Sequence, residues 1–111
     1  MSAPGVPGVI GAYFTAHDER RTDDALTAFT KGAKVHDDGQ EYVDADAIRH
    51  WLGAASTAFT YTRTFVRAEP AGQDEWLVIN HLAGDFPGGQ VDLRYRFRLE
   101  GDRIAELQIA P

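Results

Sequence analysis

The run VDLRYRFRL, residues 91 to 99, alternates apolar and polar side chains without a break. Successive side chains on a strand point to opposite faces, so Val91, Leu93, Tyr95, Phe97 and Leu99 share one face. Asp92, Arg94, Arg96 and Arg98 share the other. A helix would scatter both sets around its axis, whereas a strand sorts them into a core face and a water face. One such strand cannot hold itself folded and needs partners. The chain supplies them on both sides. Residues 59 to 69, FTYTRTFVRAE, alternate and are rich in threonine and aromatics. Residues 75 to 83, EWLVINHLA, follow the turn at 70 to 74, and Pro87-Gly88-Gly89 makes the next turn. Glu100-Gly101-Asp102-Arg103 leads into a last strand, Ile104 to Ala110. The second half therefore reads as an antiparallel meander.

The first half has the helical period. Val9, Ile10, Tyr13, Phe14 and His17 form one stripe, interrupted by the polar residues 18 to 21. Thr22 is placed to cap a second helix, with Asp23 and Asp24 in its first turn, Ala25, Leu26 and Phe29 on its buried face and Gly32 as its stop. Ala33 to Asp37 reads as a short strand ended by the turn pair Asp38-Gly39. Asp44 or Asp46 caps a third helix carrying Ile48, Trp51 and Leu52, which Gly53 and Ser56 bring to an end. Residues 1 to 8, with Pro4, Gly5, Pro7 and Gly8, read as a flexible lead-in to a single domain over 9 to 111. Helices followed by consecutive antiparallel strands predict an α+β domain, with the helices on one side of a curved sheet.

Charge and residue inventory narrow the chemistry. Eleven Lys and Arg against 17 Asp and Glu give a formal net charge of -6, which repels a phosphate backbone, and no basic cluster offsets it. Nucleic acid is not expected as a partner, and no apolar run is long enough for a membrane. The opening MSAPGVPG has neither a basic nor an apolar segment of the secretory kind, so the cytoplasm is the default compartment. The absence of cysteine excludes disulfides and thiolate chemistry. His36, Asp37 and Asp38 are adjacent, but neighbours on a strand diverge and no second histidine stands at ligand spacing, so no metal is expected. Phosphate loops, nucleophile elbows and HExxH are all missing from the sequence.

The order of parts resembles the nuclear transport factor 2-like superfamily over nearly the whole chain. VIGAYFTAHDERRTDDALTAFTKGAKVHDDG is similar to that group's opening helices and first strand, AIRHWL to its third helix, and VDLRYRFRLEGDRIAELQIA to its closing hairpin. Short SnoaL-like proteins, including polyketide cyclases and ketosteroid isomerase relatives, are the members it resembles most. The resemblance implies a cone-shaped α+β barrel, an apolar pocket for a small molecule between helices and sheet, and a homodimer through the outer sheet face. Activities in this fold differ widely, so site residues must be matched singly.

Ketosteroid isomerases use a carboxylate base at the end of the first strand and an oxyanion hole of a tyrosine and a protonated aspartate. Matched without gaps from the first helix to the first strand, the base falls on Asp37 and the tyrosine on Tyr13; matching the family's aromatic-Arg-Phe strand to Tyr95-Arg96-Phe97 puts the aspartate on Leu93, which cannot donate. His81 is the substitute if its face of the strand 75 to 83 enters the pocket; otherwise Asn80 takes that place, and periodicity leaves the two open. Phe14, Trp51, Tyr61, Leu93 and Tyr95 are expected as pocket walls, and His36 as solvated. Arg63 and Arg67 are grouped with the arginine row on the outer face. The expected activity is an isomerase or cyclase that moves a proton next to a carbonyl without a cofactor. The alternative is a non-catalytic ligand-binding or dimeric interaction module of the same fold.

Overall fold

A computed structural model describes residues 6–37, 39–58 and 60–111, with the backbone alone at 55–58. The elements run α1 (Gly8–Asp18), α2 (Thr22–Thr27), β1 (Phe29–Asp37), β2 (Gln40–Val43), α3 (Asp44–Ala58), β3 (Tyr61–Gly72), β4 (Glu75–Gly84), β5 (Gln90–Glu100) and β6 (Arg103–Ala110). All six strands form one sheet in the order β2-β1-β6-β5-β4-β3. Neighbours pair antiparallel except β1 and β6, which run parallel. The α+β class, the three helices and the meander β3 to β6 agree with the sequence reading. Barrel closure does not: among the described residues β2 and β3 are the two edges of the sheet, and α1 and α3 fill its inner side between them. No helix among the described residues is long and apolar enough to cross a membrane.

Several boundaries differ for local reasons. Helix α2 ends at Thr27, so Phe29 opens β1 and reaches the core from a strand. Parallel pairing explains this. The Ile104 N–H donates to the Ala28 carbonyl at 2.8 Å and Phe29 stands opposite Ile104, with a register shift before Lys34. Thr22 is the first helical residue, and the N-cap position belongs to Arg21, whose guanidinium bonds Glu19 at 2.8 Å and Asp24 at 2.6 Å. Helix α3 continues through Gly53 and Ser56 to Ala58. Part of the expected lead-in (residues 1–5), the turn residue Asp38 and the strand start Phe59 lie outside the described residues.

The alternation in β5 is carried out as read. Tyr95 and Phe97 are buried, Val91, Leu93 and Leu99 half-buried, and Asp92, Arg94, Arg96 and Arg98 exposed. Phe97 is 0% exposed and meets Tyr13 and Phe14 of α1 edge to face, at centroid distances of 6.0 and 5.6 Å. Such geometry suits the ring quadrupoles. Ile10, Val35, Ile48, Leu52, Ile104 and Leu107 complete this core. On the outer face Arg96 pairs with Glu75 (3.0 Å), Arg98 with Glu106 (3.5 Å), and His36 with Glu106 (3.1 Å).

The start of β3 depends on one glycine. Gly84 stands opposite Tyr61 in the β3–β4 register, and a Cβ there would overlap the Thr60 carbonyl and the Tyr61 Cα. Asp85 locks the same corner: its carboxylate accepts from the Thr60 N–H at 2.9 Å and its own N–H donates to the Thr60 carbonyl at 3.1 Å. Backbone cannot yield as a flexible side-chain end would. Gly84→Ala is therefore expected to cost about 1–3 kcal/mol, read as a lowered urea midpoint with an unchanged slope. An unchanged midpoint would mean that the corner opens freely.

Candidate functional site

Between α1, α3 and the inner face of the sheet lies a cavity of about 660 Å3. Its polar end is formed by Tyr13, His17, Asp37, Trp51, Tyr61 and Tyr95, and its apolar walls include Leu82, Val91, Leu93 and Ile109. Strand alternation brings Asp37 here. Ala33 and Val35 are buried on the inner face of β1, and Asp37 is the next residue on that face, at the end where β1 runs beside Ile109 of β6. Trp51 arrives from α3 on the buried stripe with Ile48 and Leu52. Its indole Nε1–H donates to Asp37 Oδ2 at 3.0 Å. That single bond satisfies a buried indole and fixes the carboxylate, leaving Oδ1 for a ligand.

Helix α1 contributes Tyr13 and, one turn later, His17. The two rings lie nearly parallel with centroids 5.9 Å apart, and His17 is likewise parallel to Trp51 at 6.3 Å. The Tyr61 hydroxyl sits 3.3 Å from His17 Nε2. Burial pushes the His17 imidazole below its usual range, with Asp18 opposing and Arg63 adding to the shift. Burial also pushes the Tyr13 phenol well up, and the negative charge that Tyr95, Tyr61 or Asp37 can carry raises it further. The Tyr61 and Tyr95 phenols are raised by burial too. All three tyrosines therefore keep their protons near neutrality and act as hydrogen-bond donors.

A second polar layer backs this one. Arg63 bonds Asp18 through Nε (3.0 Å) and Nη2 (2.6 Å), lies 4.4 Å over the Phe14 ring, and reaches Asn80 Oδ1 at 3.3 Å. Its side chain is only 18% exposed. Arg63 thus belongs to the inner face, not to the outer arginine row. It stands two residues after Tyr61, so a reading that put Tyr61 in the pocket already placed Arg63 on the same face.

Asp37, Tyr13, Trp51, Tyr61, Leu93 and Tyr95 all line the cavity. Phe14 does not: it lies one layer below, edge to face with Tyr95 at 5.0 Å. His81 does not either. Register decides this point, because Asn80 pairs with Leu93 and His81 with Asp92. Asn80 accordingly shares the inner face and is 0% exposed, while His81 Nδ1 bonds Asp92 at 2.7 Å on the outside. His36 also lies outside, half-buried between Glu106 and Glu41 rather than freely solvated. His17 was missed as a site residue, although it stands four residues after Tyr13 on the same helical stripe.

The lowered His17 has a consequence for stability. Its folded-state pKa lies below the unfolded one, so the unfolded chain binds the proton more readily. Its neutral burial is fully tolerated above the unfolded pKa of about 6.5, and stability falls as pH drops below that value toward the folded pKa. His17→Gln is expected to flatten the melting-temperature profile between about pH 6.5 and 5. Superimposable profiles for the two proteins would contradict it.

No protein-family model and no curated protein matches the chain. Solved structures do. A candidate polyketide cyclase from Sinorhizobium meliloti is 32% identical over 99% of this chain and 100% of that one, with a TM-score of 0.91. A Catenulispora acidiphila protein with a ketosteroid isomerase-like fold, in complex with trimethylamine, is 19% identical over 99% of this chain and 87% of its own, with a TM-score of 0.80. A Mycobacterium tuberculosis protein in complex with estradiol-17β-hemisuccinate is 15% identical over 93% and 90%, with a TM-score of 0.77. The last two resemblances concern the fold alone.

Proposed function

The chain belongs to the nuclear transport factor 2-like superfamily, among its SnoaL-like and ketosteroid isomerase-like members, and from that premise we propose that it is a pocket enzyme moving a proton next to a carbonyl of a small apolar cyclic molecule. One observation carries the reading: a half-buried carboxylate, Asp37, faces a cavity walled by Leu82, Val91, Leu93 and Ile109, and an indole N–H fixes its orientation. Asp37 Oδ1 takes the proton from the carbon beside the carbonyl, and the electron pair moves onto the carbonyl oxygen as an enolate. Tyr13, kept protonated by burial, donates to that oxygen. Asp37 then returns the proton at a second carbon, as an isomerase requires; in a cyclase the enolate carbon instead bonds to a second carbonyl carbon of the same molecule, and the proton goes to the oxygen left on that carbon. A single carboxylate that takes and returns one proton needs no cofactor.

The size of the cavity suits a ligand of two to four fused rings. The steroid ester and the small amine held by the two distant relatives support small-molecule binding in this fold. Among the described residues no lysine or arginine lines the cavity, which favours a neutral ligand. A homodimer through the outer sheet face remains part of the proposal.

A second reading, a binding module without turnover, is favoured by Leu93, which puts an apolar wall where an acid would complete the oxyanion hole. Deuterium uptake from D2O separates the two. Under the enzyme reading, bicyclic and steroidal ketones exchange protons beside the carbonyl in the presence of the protein, seen by mass spectrometry. Ketones that bind by calorimetry yet never exchange would assign the pocket to binding alone.

A further inference from the structure

The proposed proton transfer leaves two phenols of the cavity, Tyr61 and Tyr95, without a task, and of these only Tyr61 is bonded to His17. Tyr61 opens β3 and lines the cavity, and its cross-strand partner is Gly84, which presents no side chain beside it. We propose that Tyr61 is the second hydrogen-bond donor to the ligand's oxygen, held in place by His17, and that this pair does the work that Leu93 cannot. The inference rests on the enolate reading above and names a further residue of that same site.

Geometry supports it in three ways. First, the His17 ring is clamped. It lies parallel to Tyr13 within 6° and to Trp51 within 4°, so its edge, and with it Nε2, is held toward the Tyr61 oxygen at 3.3 Å. Second, a neutral imidazole with its proton on Nε2 donates to the phenol oxygen and frees the Tyr61 O–H for a ligand. Donation into a phenol oxygen also polarises its O–H and strengthens the outgoing bond. Burial keeps the imidazole neutral and the phenol protonated, as this arrangement needs. Third, Tyr13 and Tyr61 line the same cavity and share His17 as a neighbour, Tyr13 through its ring at 5.9 Å and Tyr61 through its hydroxyl at 3.3 Å. With no lysine or arginine lining the cavity among the described residues, neutral donors of this kind must carry any oxyanion stabilisation.

Phenols imitate an enolate oxygen and supply a readout that does not depend on turnover. Asp37→Asn serves as the background, because asparagine stands in for the carboxyl after it has taken the proton. Binding of 2-naphthol and of substituted phenols of rising acidity is measured by fluorescence and calorimetry. In this background affinity is expected to rise with phenol acidity. Adding Tyr61→Phe should weaken 2-naphthol about 10- to 100-fold, the loss of one hydrogen bond to a charged oxygen, and flatten the dependence on acidity. His17→Phe should reproduce part of both effects, and His17→Gln should restore them, because a glutamine amide can donate where Nε2 did. Binding and slope unchanged by Tyr61→Phe, with an unchanged melting temperature, overturn the assignment, as does a protein that binds 2-naphthol no better than naphthalene. The outcome is separable from that of the base: Asp37→Asn is judged by proton exchange on ketones, Tyr61→Phe by phenol affinity.

Discussion

Asp37→Asn should lower turnover by about 10²- to 10⁴-fold, the usual contribution of a positioned general base. The substitution is nearly isosteric and its amide oxygen can still accept from Trp51 Nε1, so the 3.0 Å bond that orients the side chain survives. What is lost is the capacity to hold a proton at Oδ1. Ligand affinity and melting temperature should therefore change little while exchange and isomerisation disappear, the pattern of an interaction used only on the way to the transition state. Full activity in Asp37→Asn would sink the base assignment. Trp51→Phe is a useful companion, since it removes the donor and leaves a freer carboxylate, and should reduce turnover with less effect on binding.

Phe97→Ala should cost about 3–5 kcal/mol, a large share of the ~5–15 kcal/mol that holds a small domain folded. Phe97 is fully buried, and its removal deprives both Tyr13 and Phe14 of an edge-to-face partner. The hole opens beneath the cavity floor, so ligand affinity should fall along with the urea midpoint. Arg96, the next residue along β5, points outward to Glu75 and is half exposed. Arg96→Ala should shift stability by no more than ~0.5 kcal/mol. A comparable loss in both variants would mean that the two faces of β5 are not divided as described.

The alternation that contrasts these two positions was legible from the sequence, because a half-buried strand has to write its burial at period two. The helical stripe of α1 was legible for the same reason, and it put Tyr13 and Phe14 on the inward face of the helix, although Phe14, expected as a pocket wall, lies one layer below the cavity. Readings failed where tertiary pairing overrides local pattern. Both faces of EWLVINHLA are largely apolar, so nothing short of the pairing with β5 could choose between Asn80 and His81. Phe29 fitted a helical face, yet the parallel register with Ile104 draws it into a strand. Arg63 was assigned by charge to the solvent side, although its spacing from Tyr61 said otherwise. A carboxylate partner at the rim, Asp18, and a ring beneath it make an inward arginine tolerable. His17 was visible as a stripe position but not as a site residue, because its role depends on Trp51 and Tyr61, 34 and 44 residues away in sequence.

The parallel pairing of β1 with β6 sets an order of events during biosynthesis. Asp37 leaves the ribosome early, but the strand that must lie beside it begins only at Arg103. Hairpins β3–β4 and β4–β5 join near neighbours and can close as soon as they are made, whereas the β1–β6 ladder must close a long loop first. Until then the inner face of β1 has no neighbour on that side, and the carboxylate stands in water. The Asp37 end of the cavity thus forms only once β6 has been made, and a chain cut before Arg103 is expected to hold helices and hairpins but no pocket.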